Sequence, residues 1–332
     1  MNSGNNDPFA YRSQGGAFNV GSEVGDNLSA LVGVDDQLMC ITRKNIRMVL
    51  MADSVDPQRT NPNIDHNVQH ILPYGSDNEF VGRTFQQASF LFKEHTLPKS
   101  VDHNKGISIS LSFLREITAL DKLKDEYIAE EESITSSISS QGKSLQIPAL
   151  PNLEQKVKGF ISNTDHAMRS IMEITNLFYP DVKGKGWEEL LCKTIKTELG
   201  DDDPFTIFIQ TFKKFTEKTR TIRNKIEHPY GELRDDVFTV ENYKLNLTNN
   251  IDLPSISYKG KEYNLSKMQI AVFMESTTLS LLTIFELLMV YLCNLHAEPF
   301  AGDKRIVVSV PEDRRQESEK HVGFKYEVLW TK

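Results

Sequence analysis

Residues 204–230 read PFTIFIQTFKKFTEKTRTIRNKIEHPY, and the fold is read outward from them. Asp203 is a plausible helix N-cap, and Pro204 sits at the first helical position, where its missing N–H costs nothing. Phe205, Phe208, Phe212 and Phe215 recur at the three-and-four spacing of one helical face, which predicts an aromatic core stripe. Pro229 disfavours helical geometry in the residue before it, so the helix is expected to end at His228.

The same period recurs on both sides. Leu111, Leu114, Ile117, Leu120 and Leu123 begin a long amphipathic helix near 107, which runs past Ile128 to a Ser-rich turn at 136–144. Val157, Phe160, Ile161, Met168, Ile171 and Ile174 define a helix over 152–179 that stops at Pro180, and a shorter one fits 187–199 before Gly200. Residues 267–296, with Ser266 as cap, are apolar almost all round. Four or five such helices with short links predict a mainly α, up-and-down helical bundle, with 267–296 at its centre or in a dimer interface. Residues 237–246 and 255–265 change period and suggest a small β excursion. Residues 305–310 and 322–330 suggest a C-terminal β hairpin. Residues 1–105 are richer in Asn, Asp, Gly and Pro and read as a loop-rich N-terminal region with short helices at 36–51 and 78–95. Between these helices lies a loop, SVDPQRTNPNID (54–65). Residues 106–332 are then the helical domain, with its β insertion at 237–265 and terminal strands at 305–330.

A chain of 332 residues, 39% hydrophobic and 25% charged, belongs to the ordinary globular class. Its formal net charge of -8 gives no bulk attraction to a polyanion, so nucleic-acid binding needs a local basic patch. Cys40, Cys192 and Cys293 are too sparse for a disulfide framework or a thiolate zinc site. The polar start lacks the pattern of a secretory signal, and a cytoplasmic location is expected. Residues 270–295 are almost long enough to span a bilayer. They carry Glu275 and Glu286 without a basic flank following, which favours a buried helix and no membrane partner.

The concentrated signal is the end of the 204–228 helix. Lys213, Lys214, Lys218, Arg220, Arg223 and Lys225 face one acid, Glu217, a local charge of +5 (six cations less one anion). By charge alone this is a solvated face that complements the negative helix C-terminus. The order Arg223-Asn224-Lys225-Ile226-Glu227-His228-Pro229-Tyr230 resembles the Arg-x(4–6)-His signature of the HEPN superfamily. Asn follows the Arg, and the Tyr gives the extended form Arg-x(4)-His-x-Tyr. Spacing alone does not discriminate: Arg59 with His66 and Arg315 with His321 satisfy it too, one in a Pro/Asn-rich loop and the other in a charged link between strands. Only the 223–228 pair has the helix, the Asn, the Tyr and the basic approach.

The resemblance implies an all-helical bundle that pairs as a homodimer, with two helix ends forming one composite cleft. It implies RNA as substrate, cleaved through the neighbouring 2′-hydroxyl with no metal or cofactor, in a toxin or phage-defence effector. At about 100° per residue, Asn224 and His228 stack on one face while Arg223 lies roughly 140° round from the histidine. An imidazole exchanges protons near neutrality, so His228 is the candidate acid–base. Arg223 would stabilise charge on the phosphorane, and Asn224 would orient phosphate or imidazole. Lys218, Arg220 and Lys225 are candidate RNA-backbone contacts. Tyr230 is the candidate regulatory position, since in toxin members paired with a nucleotidyltransferase antitoxin the equivalent Tyr is adenylylated. The competing expectations are a non-catalytic RNA- or protein-binding module of the same fold and a structural dimeric bundle. Asp65, His66 and His70 have metal-like spacing only if helical, and no third strong ligand is near. Asp201-Asp202-Asp203 reads as capping and Glu130-Glu131-Glu132 as a solvated helix end.

Overall fold

A computed structural model describes residue 9 and residues 26–330, except 36, 66, 142–143, 185, 229–234, 249 and 262. The chain is about 51% helix and 20% strand. That overturns the expected mainly α, up-and-down bundle. Among the described residues the sheets are a four-stranded one near the N-terminus, a three-stranded one and three two-stranded ones, all antiparallel. Long helices and separate antiparallel sheets together make an α+β architecture. Two compact units divide it: residues up to Leu111 together with those from Cys293, and Ser112–Leu292.

In the first unit, β1 (Leu28–Val34), β2 (Gln37–Thr42), β3 (Ile46–Leu50) and β4 (Asn67–Leu72) form a meander in sequence order. The helix expected over 36–51 is thus two strands and a turn. A carboxylate distant in sequence explains the difference. Asp26 is 2% exposed and accepts from Thr42 Oγ1, the Lys44 N–H and Asn45 Nδ2, each at 2.9 Å. These bonds hold the chain in a turn where helical periodicity would have carried it straight on. Val32, Val34, Met39, Ile41 and Ile46 then cover one face of the sheet. One helical turn, α1 (Ala52–Val55), precedes the loop read from its Pro and Asn content.

The helical stretch expected at 78–95 runs as α2 (Glu79–Val81), a π-helical turn (Gly82–Gln86) and α3 (Gln87–Leu91). Asn78 caps it by accepting from the Phe80 N–H at 2.8 Å. Gly82 permits a close approach, because a Cβ there would lie 2.2 Å from the His321 Cβ. The terminal strands β12 (Lys304–Ser309) and β13 (Phe324–Leu329) pair as expected. The buried amide of Gln87 donates to the Phe324 carbonyl at 2.7 Å and accepts from its N–H at 3.0 Å. The side chain thereby completes a backbone pair of β13, and the hairpin belongs to the same unit as the N-terminal region.

The second unit holds most of α4 (His103–Ser136), then α5 (Leu153–Phe178), α6 (Trp187–Leu199), α7 (Pro204–Glu227) and most of α8 (Ile270–Leu295). The Ser-rich turn contains two short strands, β5 (Ser139–Gln141) and β6 (Ser144–Gln146). The β excursion comprises β7 (Val237–Glu241), β8 (Lys244–Leu245), β9 (Ile251–Asp252), β10 (Ser255–Lys259) and β11 (Asn264–Gln269), with sheet order β11-β10-β7. Ser266 lies in β11 and does not cap a helix; α8 begins at Ile270. By length and composition α8 could cross a membrane, and 61% of its most apolar 18-residue window is buried inside the protein.

Apolar α8 is covered by the aromatic faces read from the sequence. Phe285 stacks on Phe113 of α4, centroids 3.9 Å apart and planes within 4°, and both rings are fully buried. Phe205 of α7 stacks on Tyr291 at 4.8 Å, and Phe160 of α5 meets Phe273 edge-on at 6.1 Å. α8 therefore meets three other helices through rings. Truncating a fully buried Phe removes both its transfer term and its packing, so Phe285→Ala should lower unfolding stability by about 3–5 kcal/mol, measured by denaturant titration. A change under about 1 kcal/mol would show that this stack does not anchor the helix.

Candidate functional site

Asp203 accepts from the Phe205 N–H at 2.8 Å and starts α7, which ends at Glu227 with His228 as C-cap. The His228 N–H donates to the Asn224 carbonyl at 2.8 Å. Asn224 and His228 are both exposed, one turn apart, as their spacing requires. Pro229 and Tyr230, and with them the regulatory expectation at Tyr230, lie outside the described residues.

Arg223 is more enclosed, with 27% of its side chain exposed. Its Nη2 lies 3.0 Å from Glu227 Oε2, and its Nε lies 3.9 Å from Asp165 Oδ2 on α5. The Nε is buried and makes no hydrogen bond. Asp165, 12% exposed, also pairs with Arg169 at 3.0 Å. The guanidinium thus faces a buried carboxylate on one edge and a more exposed one on the other.

The rest of the basic run is also partnered. Arg220 grips Glu188 of α6 with two N–H groups, Nη2 to Oε1 at 2.6 Å and Nη1 to Oε2 at 3.3 Å, and the Glu188 side chain is only 4% exposed. Lys213 pairs closely with Glu189, and Glu189 holds the ammonium firmly enough to raise its pKa. Lys218 stands 5.1 Å over the ring of Tyr263, beside β11. Lys225 is half-buried and has a partner. Lys214 is exposed and in no ion pair among the described residues. A local charge of +5 is therefore largely offset by acids of α5 and α6. Of the expected RNA contacts, Arg220 is committed to a two-pronged structural pair, and Lys218 to an aromatic ring.

Beside this helix face lies an open cleft of about 640 Å³, lined by Lys214, Phe215, Glu217, Lys218, Arg220, Thr221, Asn224 and Tyr263. Sequence reasoning found Lys218, Arg220 and Asn224. It missed Thr221 and Tyr263 as cleft residues and Asp165 as the partner of Arg223. The adjacent acids Glu188-Glu189 in the first turn of a helix were the visible hint of charge pairing.

The rival motif hits are structural where described. Arg59 pairs with Asp53 at 2.8 Å, and His66 lies outside the described residues. Arg315 donates to the carbonyls of Val310 and Lys320, and His321 Nε2 lies 3.1 Å from the Asp77 carbonyl. His70 stands on β4, so helical ligand spacing does not apply to it. Among the described residues no three His, Cys, Asp or Glu side chains converge as a metal-ligand set. Comparison with protein-family models, with curated proteins and with solved structures finds no match.

The charge pairing separates two roles that the sequence leaves merged. Arg220→Ala strands the buried Glu188 carboxylate, and such removal costs about 3 kcal/mol or more. Lys218→Ala should stay within about 1 kcal/mol of wild type. Thermal melts of the two variants provide the comparison, and equal stability would mean that Glu188 is satisfied without Arg220.

Proposed function

We propose that the end of α7 is the cleaving centre of an endoribonuclease that works as a homodimer, with the RNA strand lying along the adjacent basic cleft. One observation carries this reading: His228 stands exposed at a helix end, one turn from exposed Asn224, and Asn224 lines the cleft. An imidazole at that place can reach a bound strand and exchange a proton with it near neutral pH.

In the proposed reaction the 2′-oxygen of one nucleotide attacks the adjacent phosphorus and the bond to the 5′-oxygen breaks. A 2′,3′-cyclic phosphate and a 5′-hydroxyl result. His228 takes the 2′-hydroxyl proton, and the leaving 5′-oxygen gains a proton from a second imidazole, that of the paired protomer. Arg223 stabilises the additional charge on the phosphorane through its N–H fork. Asn224 orients a phosphate oxygen or the imidazole. Lys214 and Lys218 contact the backbone on the approach.

Pairing is supported by surface character beside the cleft. Phe215 lines both the cleft and an apolar groove of about 420 Å³ formed with Phe208, Phe212, Leu279 and Ile284 on α7 and α8. Leu279 and Ile207, on the same two helices, are 43% and 51% exposed. Covering such a face removes apolar area from water, and a second copy placed there would bring two α7 helices together. A toxin or phage-defence role, with an antitoxin or nucleotidyltransferase as further partner, is part of the same proposal and rests on the Arg223–Tyr230 resemblance alone.

A second reading, RNA binding without cleavage, draws on the ion pair that occupies Arg223. One assay separates the two. Wild type, His228→Ala and Arg223→Ala are incubated with RNA in the presence of a chelator, after circular dichroism confirms folding. Loss of the proton-transfer group should slow cleavage by about 10²–10⁴-fold, and loss of the guanidinium by about 10²–10³-fold. Wild type that binds without cleaving supports the second reading, and variants as active as wild type would remove the catalytic assignment.

A further inference from the structure

We infer that Glu227 is a built-in competitor of the substrate phosphate at Arg223, so that RNA must displace its carboxylate before the guanidinium can act. The inference rests on the proposed RNA-cleaving role of Arg223 and adds a residue that sets how tightly substrate is held.

The two carboxylates at Arg223 differ in what they can do. Asp165 comes from α5, is 12% exposed and is shared with Arg169 at 3.0 Å. It sits 3.9 Å from Nε, at the enclosed edge of the guanidinium. Releasing it would leave a poorly solvated charge, so it acts as an anchor. Glu227 is 35% exposed, lies on the last turn of α7 and holds Nη2 at 3.0 Å. Three physical features make its hold weak. An anion at a helix C-terminus is opposed by the helix dipole. Arg before Glu at four residues' spacing is the less favourable order for such a pair. A partly exposed pair is also screened by water and salt.

Weakness is what a competitor needs. The outer N–H edge of Arg223 is the edge that a phosphate entering from solvent would take, and Glu227 already forms an ion pair with it. A phosphate group offers two oxygens, and so a charge-assisted, two-pronged partner for the fork. The carboxylate also stands one residue before His228, where its charge repels any phosphate brought to the imidazole. The position therefore selects for a ligand whose remaining contacts along the cleft recover the loss, such as a strand spanning several phosphates, over free phosphate.

The test uses the full-length protein with Glu227→Gln, and with Glu217→Gln as control. Glu217 is 56% exposed and lines the same cleft, but pairs with Lys213 at 3.7 Å and not with Arg223. Binding of a short, fluorescein-labelled 2′-O-methyl RNA, which lacks the attacking hydroxyl, is measured by anisotropy, and cleavage of the matching 2′-hydroxyl RNA is followed in parallel. Glu227→Gln should tighten Kd by about three- to tenfold at low salt, with a smaller gain as KCl is raised. The gain in cleavage should sit in KM. Glu217→Gln should change Kd by less than about twofold. Tighter binding without cleavage by any form would keep the competition and discard the ribonuclease reading. Cleavage with an unchanged or weaker Kd for Glu227→Gln would overturn the competition and leave the ribonuclease reading. Equal tightening by both variants would show only bulk repulsion and overturn it as well, as would no binding by any form.

Discussion

The pairing of Glu188 with Arg220 governs the region of the candidate site. A carboxylate only 4% exposed cannot stand alone, and two guanidinium N–H groups satisfy it from the neighbouring helix. Glu188 also lies in the first turn of α6, where the helix dipole favours an anion. Lys213 and Glu189 repeat the pairing seven residues earlier on α7 and one residue later on α6. The first turn of α6 is thus joined to α7 by two pairs of opposite charge, and the ring contact of Trp187 with Phe212 at 5.5 Å lies beside them. Rotating α7 to present its cations differently would break this set at once.

Fixing the helix in this way divides its cations by the partner each one holds. Arg220 and Lys213 hold α6, and an approaching polyanion gains little from charges already neutralised at short range. Lys214 and the outer edge of Arg223 remain able to exchange partners. A count of basic residues along α7 therefore overstates the charge that RNA would meet, and the neighbouring acids account for the difference. In a chain of net charge -8, attraction to a polyanion is then local and brief in reach, within about one Debye length of 8–10 Å at ordinary ionic strength.

The parts legible in the sequence are those set by near neighbours. The start of α7 was readable from Asp203 and Pro204, its end from Pro229, and the aromatic stripe from the spacing of Phe205, Phe208 and Phe212. The terminal strands were readable from their β-branched runs. The N-terminal sheet was not, because the turn that splits 36–51 into two strands depends on Asp26, which lies 16–19 residues upstream. Nor was the union of the C-terminal hairpin with the N-terminal unit, which passes through Gln87 to Phe324 across 237 positions. The candidate site shows the same division. Arg223, Asn224 and His228 belong to one short motif. Asp165, Glu188 and Tyr263 reach it only through packing, and no local period announces them.

The location of the candidate site decides which groups could meet a phosphate there. Phosphate groups are commonly bound at helix N-termini, where free N–H groups and the dipole both favour an anion. Here the candidate centre stands at a C-terminus, whose last carbonyls repel one. The backbone contributes nothing favourable to phosphate, and the His228 N–H is already used by the Asn224 carbonyl. Charge stabilisation must then come entirely from side chains, and the nearest fork-shaped donor is Arg223. Its usefulness depends on a delicate balance. In the proposed role, Asp165 holds the guanidinium close to the helix end, and Glu227 holds it weakly enough to be replaced. A helix C-terminus is a poor place to bind a free anion and a better one to bind a long strand, because only a ligand with several phosphates can recover along the cleft what the helix end opposes.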